Sequence, residues 1–78
     1  MFLGKRITIG RDKKSKIHLA DPEVSRAHAC IWQHEGDVVI EDLKSGNGVF
    51  VNGASVLRAP LKPGDVIRIG STEFLVHL

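Results

Sequence analysis

Apolar residues along this chain come in short bursts cut by turn residues. Ile7-Thr8-Ile9 ends at Gly10, and Ile17-His18-Leu19 ends at Asp21-Pro22. From Ala27 to Gln33 the residues alternate, with Ala27, Ala29 and Ile31 on one side and Trp32 on the other, where partial exposure is expected. After Gly36-Asp37 comes Val38 to Leu43. Val49-Phe50-Val51 then runs into Asn52-Gly53, two positions that tolerate positive φ and so predict a tight hairpin. Lys62-Pro63-Gly64-Asp65 predicts a further turn, because Pro fixes φ and Gly releases it. Val66 to Ile69, a break at Gly70-Ser71, and Glu73 to Val76 close the pattern.

These bursts are β-branched or aromatic and too short for helices. Many short strands at regular spacing predict an all-β sandwich or barrel. The expected core is Ile7, Ile9, Ile17, Leu19, Ala29, Ile31, Val38, Ile40, Val51, Leu61, Ile67, Ile69, Phe74 and Val76. At 78 residues the chain reads as a single domain over 1–78, one that buries roughly 60% of its unfolded surface.

Composition narrows the class. No apolar run approaches the roughly 20 residues that span a bilayer, and the first residues lack the apolar stretch and cleavage site of a signal peptide. Cys30 is the only cysteine, which rules out an intramolecular disulfide and a cysteine-built zinc site and fits a reducing, cytoplasmic setting. His18, His28, His34 and His77 show no metal-ligand spacing, so neither metal nor cofactor is expected. Net charge is +2, unevenly spread: residues 1–28 carry seven Lys/Arg against three Asp/Glu, and residues 29–78 four against six. The basic part favours an anionic partner.

Three loops hold polar residues that a core does not need. Gly10-Arg11 follows a strand; glycine lets the chain leave the sheet, and arginine presents a planar fork of donors suited to phosphate. Taken alone, this is also how an arginine ends a strand in water. In Val24-Ser25-Arg26-Ala27-His28 the hydroxyl of Ser25 can donate to a phosphate oxygen and Arg26 adds charge, while His28 suits a buried strut. A Ser25–His28 nucleophile and base is disfavoured, because neither a nucleophile elbow nor an oxyanion motif accompanies it. The third loop, Lys44-Ser45-Gly46-Asn47-Gly48, is a tight connection in which Asn47 can both donate and accept, as pairing with a peptide main chain requires. A strand follows it rather than a helix, which argues against a nucleotide cradle.

Each loop alone is weak evidence, but their order is specific. Ile9-Gly10-Arg11, Val24-Ser25-Arg26-x-His28, Asp42-Leu43, Asn47-Gly48, Val51-Asn52-Gly53 and Leu61-x-x-Gly64-Asp65 together resemble the forkhead-associated (FHA) domain signature, from about Ile7 to the C-terminus. The resemblance implies a two-sheet twisted β-sandwich, FHA/SMAD-like and mostly antiparallel, with its ligand loops at one end. It implies a phosphothreonine-dependent protein–protein interaction module of phospho-signalling, a class that reads phosphate with arginine clusters, and no enzyme. By position, Arg11 pairs with the phosphate, Ser25 donates to it, Arg26 contacts it or adds charge, and Gly46 and Asn47 line the peptide. Gly10, His28, Gly48, Asn52 and Gly53 give structural support. Lys13, Lys14, Lys16 and Lys44 raise the local positive potential.

The chain departs from the family pattern in three places. Relatives often carry Thr or another side-chain donor where this chain has Gly46, and Asn-Gly-Thr where it has Asn47-Gly48-Val49. An additional strand usually precedes the segment of Ile7-Thr8-Ile9, but only Met1 to Arg6 stand there. That predicts a chain lacking the usual first strand, a fragment or minimal form, with a homodimer through an exposed sheet edge. Glu23 in the loop before Ser25 predicts a basic or apolar residue three places after the phosphothreonine. Two alternatives stay open: a phospho-independent scaffold or oligomerisation domain, and a small basic β-domain for nucleic acid. The second lacks the aromatic cluster that base stacking uses.

Overall fold

The computed structural model describes residues 6–77; the expectations that fall on Met1–Lys5 lie outside the described residues. Nine strands follow one another: β1 (Ile7–Gly10), β2 (Ile17–His18), β3 (Ala29–His34), β4 (Asp37–Asp42), β5 (Val49–Val51), β6 (Ala54–Val56), β7 (Arg58–Leu61), β8 (Val66–Ile69) and β9 (Thr72–Leu75). They form two sheets, one of five strands in the order β2-β1-β3-β4-β7 and one of four in the order β6-β5-β8-β9. All pairings are antiparallel except β1 with β2. The expected all-β, mostly antiparallel two-sheet architecture is therefore present.

Most turn chemistry follows the sequence. Asn52 and Gly53 have φ of 52° and 85°, and Val51 pairs with Ala54 across them, the two-residue hairpin with both central residues left-handed. Gly64 turns with φ of 91°. Two strands had no pattern to announce them. β6 is Ala-Ser-Val, and β7 is Arg-Ala-Pro-Leu with a proline inside. Pro60 is tolerated because β7 is the last strand of its sheet. The third apolar segment begins its strand at Ala29 rather than Ala27, because the chain before it folds into the Ser25 loop.

Ile9, Val24, Ala29, Ile40, Val49, Leu61, Ile67, Ile69 and Val76 form the buried core between the sheets. Seven residues expected there are only half-buried: Ile7, Ile17, Leu19, Ile31, Val38, Val51 and Phe74. Ile17, Ile31, Val38 and Phe74 line a cleft of about 590 Å³ where the two sheets part, and this opening leaves them partly uncovered. Cys30 and Val39 are buried although they lie on the outer face of the five-stranded sheet with Trp32. There Trp32 is half-buried, and the guanidinium groups of Arg6 and Arg58 lie over its ring at 4.1 and 4.9 Å. Arginine stems and an indole can shield apolar surface while their polar ends stay wet.

β1 has β2 on one side and β3 on the other. Among the described residues β9 pairs only with β8, so the edge beside the cleft belongs to β9.

Candidate functional site

The end of β1 and the Ser25 loop approach so closely that only glycine fits at position 10. A Cβ there would collide with the carbonyl group of Arg26. Two backbone bonds fix the approach, from Arg11 N–H to the Ser25 carbonyl (3.0 Å) and from Asp12 N–H to the Arg26 carbonyl (3.2 Å). Arg11 is then oriented by its own Nε, which donates to the Val24 carbonyl at 2.9 Å. One of five guanidinium donors is committed to the protein, and the fork is held at a defined angle for a ligand.

His28 is fully buried and organises the neighbouring loop. Its Nδ1 accepts the Ser25 N–H at 3.0 Å, so the proton sits on Nε2, which donates to the Gly48 carbonyl at 2.7 Å. The ring is neutral, has both nitrogens committed to backbone, and has none left to act as a base toward Ser25. The Ser25 hydroxyl in turn accepts the Gly46 N–H at 3.1 Å. An acceptor role leaves the hydroxyl proton available to an incoming anion.

The loop of Gly46 and Asn47 is shaped from within by residues that the sequence reading left without a role. Asp42 Oδ1 accepts the Ser45 N–H at 3.0 Å, and Ser45 Oγ accepts the Gly48 N–H at 2.9 Å. Lys44 and Gly48 adopt φ of 60° and 85° to close it. Asn47 Nδ2 donates to the Glu23 carbonyl at 2.7 Å, which leaves its Oδ1 and second N–H for a peptide.

Asp21 is a further residue the sequence reading did not single out. Its carboxylate accepts the N–H of Glu23 (2.9 Å), the N–H of Ser71 (2.8 Å) and the Thr72 hydroxyl (3.4 Å), binding the β8–β9 turn to the Ser25 loop. The Glu23 N–H foremost, and then that of Ser71, hold this carboxyl below its ordinary 3.8. The available signal was Asp-Pro-Glu, an Asx-type turn opener. Glu23 Oε2 also takes the Ser71 hydroxyl at 3.3 Å. Gly70 packs tightly enough that a Cβ would meet Val24 and Asp21.

Arg11, Ser25, Gly46, Asn47, Gly10, His28 and Gly48 thus converge at one end of the sandwich. Arg26 is exposed beside them; its carbonyl accepts the Asp12 N–H, and with Asp12, Lys14, Ser15 and Ala27 it lines a small hollow. Lys13, Lys14, Lys16 and Lys44 are also exposed. Asn52 and Gly53 are not part of this end. They lie at the far end of β5, where Asn52 Nδ2 donates to Asp65 Oδ1 (3.0 Å) and Asn52 Oδ1 accepts the Val66 N–H (2.9 Å).

A family model described as FHA domain matches residues 7–70. FhaA, an FHA domain-containing protein of Mycobacterium tuberculosis, is 42% identical over 70 residues, a stretch that is 90% of this chain and 13% of FhaA. The chain is also similar to a structure from a study of phosphothreonine-dependent FHA domain interactions, with TM-score 0.92, 36% identity, and coverage of 99% of this chain and 80% of the other. Mycobacterium tuberculosis EmbR, solved in complex with a low-affinity phosphopeptide, superposes with TM-score 0.86 at 39% identity, covering 90% of this chain and 19% of EmbR. The chain spans a small part of FhaA and of EmbR.

Proposed function

This chain belongs to the FHA domain family, and from that premise we propose that it is a phosphothreonine-dependent protein–protein interaction module, a single domain and not an enzyme. The observation that carries this reading is the bond from Gly46 N–H to Ser25 Oγ, because it joins two loops beside the fork of Arg11 and leaves a hydroxyl proton for a phosphate oxygen. A phosphothreonine brings about −1.5 to −2 charges and three acceptor oxygens. Arg11 and Ser25 bind the phosphate, Arg26 adds charge, and Gly46 and Asn47 hold the peptide main chain. Gly10, His28 and Gly48 keep these groups in register. EmbR with its phosphopeptide supports the same ligand class for this chain.

The setting that fits is cytoplasmic, or an intracellular part of a larger protein, with no membrane partner and no cofactor. Among the described residues no helix is long and apolar enough to cross a membrane. Nucleic acid is disfavoured as a ligand because the Trp32 ring is already covered by two guanidinium groups.

Calorimetric titration with one peptide in three forms tests the reading: phosphothreonine, phosphoserine and unmodified threonine, each against wild type and Arg11→Ala. Binding of the phosphothreonine form alone, weakened about ten- to hundredfold in Arg11→Ala, is expected. Equal binding of all three forms would replace it with the phospho-independent scaffold.

The proposal includes a homodimer through the β9 edge. The favouring observation is the cleft beside that strand, into which Ile9, Ile67 and Val76 of the core look out. An open edge is a template for a further strand. Antiparallel two-fold pairing with Phe74 opposite Phe74 of a second copy sets Glu73 opposite Leu75, so like charges do not face each other. The same pairing lays apolar side chains of each copy over the other's cleft.

A further inference from the structure

The turn after β1 builds a hollow that borders the site on the outer face of the five-stranded sheet. Ile9 belongs to the core, so Thr8 and Gly10, its neighbours along the strand, face outward. Ser15 Oγ lies on that face too, 3.0 Å from where a Cβ of Gly10 would stand, and donates to the Arg26 carbonyl at 3.5 Å. Asp12 closes the turn: its carbonyl accepts the Ser15 N–H and its Oδ1 accepts the Lys14 N–H, both at 2.9 Å. Between turn and sheet remains a space of about 190 Å³ lined by Thr8, Asp12, Lys14, Ser15, Arg26 and Ala27. Arg26 follows Ser25 directly, so this space adjoins the phosphate position, yet neither Arg11 nor Ser25 lines it.

Its chemistry is that of an anion site. Lys13, Lys14, Lys16 and Arg26 are exposed around the turn. The close pairs of basic and acidic side chains among the described residues are Arg6–Glu41 and His34–Glu35, so no carboxylate neutralises these four cations at short range. Asp12 is the one acid in the hollow, and its Oδ1 is committed to the Lys14 N–H. The half-buried Thr8 hydroxyl has no hydrogen-bond partner among the described residues. Surface lysines alone are ordinary. Here a formed hollow with an idle hydroxyl accompanies them. The opposite flank of the site carries the Glu23 carboxylate, which repels what the hollow attracts.

We propose that the hollow is a second anion subsite, which takes an acidic side chain of the bound phosphopeptide, a carboxylate or a second phosphate, on the arm leading away from Glu23. Lys14 and Arg26 supply the charge, and the Thr8 hydroxyl donates a hydrogen bond. An extended chain advances about 3.3 Å per residue, which places that side chain about two to four residues from the phosphothreonine. This rests on the phosphothreonine reading and adds to it a preference for a second negative charge.

The test is a phosphothreonine peptide library randomised at four positions on each side, with phosphoserine among the residues offered. It is bound to wild type, Lys13→Gln, Lys14→Gln and Thr8→Val/Lys14→Gln. In wild type, aspartate, glutamate or phosphoserine is expected to be enriched about two- to tenfold over glutamine, on one arm only. Which of the three leads identifies the source of the charge. Lys13→Gln removes the same charge as Lys14→Gln from outside the hollow, so it keeps the enrichment that Lys14→Gln reduces and the double variant abolishes. A phosphopeptide with alanine at that position binds all three variants equally, which certifies that they fold and still hold the phosphothreonine. Phosphopeptide binding without acidic enrichment, equal loss in Lys13→Gln and Lys14→Gln, or enrichment that survives the double variant overturns the subsite and leaves the phosphothreonine reading standing. Failure of wild type to bind any phosphopeptide overturns both.

Discussion

The backbone N–H of Ser25 donates to Nδ1 of His28 at 3.0 Å, so a buried imidazole dictates where the loop hydroxyl points. The other ring nitrogen holds the Gly48 carbonyl at 2.7 Å, and one side chain thereby sets two loops against each other. Replacing the fully buried His28 by alanine takes the partner from both half-buried backbone groups and empties the space between them. Each unsatisfied group costs about 1–3 kcal/mol, so a loss of about 3 kcal/mol or more is expected in urea unfolding. Phosphopeptide affinity falls as well, under conditions where the variant is still folded.

Gly10→Ala tests the close approach of β1 to the Ser25 loop. The added methyl meets the Arg26 carbonyl, which is backbone and cannot swing aside. Overpacking of this kind costs about 1–3 kcal/mol. Because the displaced segment carries Arg11, calorimetry should show weaker phosphopeptide binding in step with the lower unfolding midpoint.

At Gly46 the opposite outcome is expected. A Cβ there meets nothing within 4 Å, and this glycine is not among those with positive φ. Gly46→Thr restores the side-chain donor seen in many relatives and should tighten phosphothreonine binding by about three- to thirtyfold, the range of one additional hydrogen bond to a charged group after ordering costs. Unchanged affinity would mean that the phosphate does not reach this position.

Asp65 predicts a pH dependence away from the site. The Lys62 N–H, and then the Asn52 side chain, hold its carboxyl below the ordinary 3.8. A pKa depressed on folding adds stability above 3.8, and that contribution is lost as pH falls through the lower folded-state value. Asp65→Asn should therefore be less stable than wild type at neutral pH, with the gap closing as the pH drops well below 3.8. Phosphopeptide affinity should stay at the wild-type value, since Asp65 joins the turn at the far end of β5.

The β9 edge predicts a charge-dependent association. In the two-fold register Leu75 faces Glu73 of the second copy, and Leu75 is 56% exposed, so its replacement leaves the core intact. Leu75→Glu should weaken the dimer by about two- to thirtyfold and Leu75→Lys should strengthen it by a similar factor, from two symmetric cross-strand pairs. Sedimentation equilibrium reads both. Monomers throughout at high concentration would remove the dimer.

Much of this architecture was legible because short apolar bursts and turn residues act locally. Asn52-Gly53 predicts its hairpin from two φ angles, and Arg11, Ser25 and Asn47 are conspicuous because each follows or precedes a strand without serving a core. Burial was less legible. Cys30 and Val39 are covered on the outer face by Trp32 and its arginines, a tertiary event that alternation does not encode. Ile31 and Phe74 have the right parity and still face a cleft, because burial depends on how the two sheets close. Asp21 was missed for a related reason: its partners Ser71 and Thr72 lie fifty and fifty-one residues along the chain. The pairing of β6 and β7 was likewise decided by neighbours rather than by their own residues.

That long-range tie has a consequence for how the site comes into being. The bonds that close it link positions 20, 21, 24, 48 and 50 residues apart, and contacts of such sequence separation form late and slowly, because chain entropy is lost before they can reward it. A chain emerging from the ribosome carries Arg11 and Ser25 long before it has Ser71 to receive Asp21. Competence to bind therefore arises only once the segment of Ser71 has joined, as a property of the closed sandwich and of no shorter segment within it.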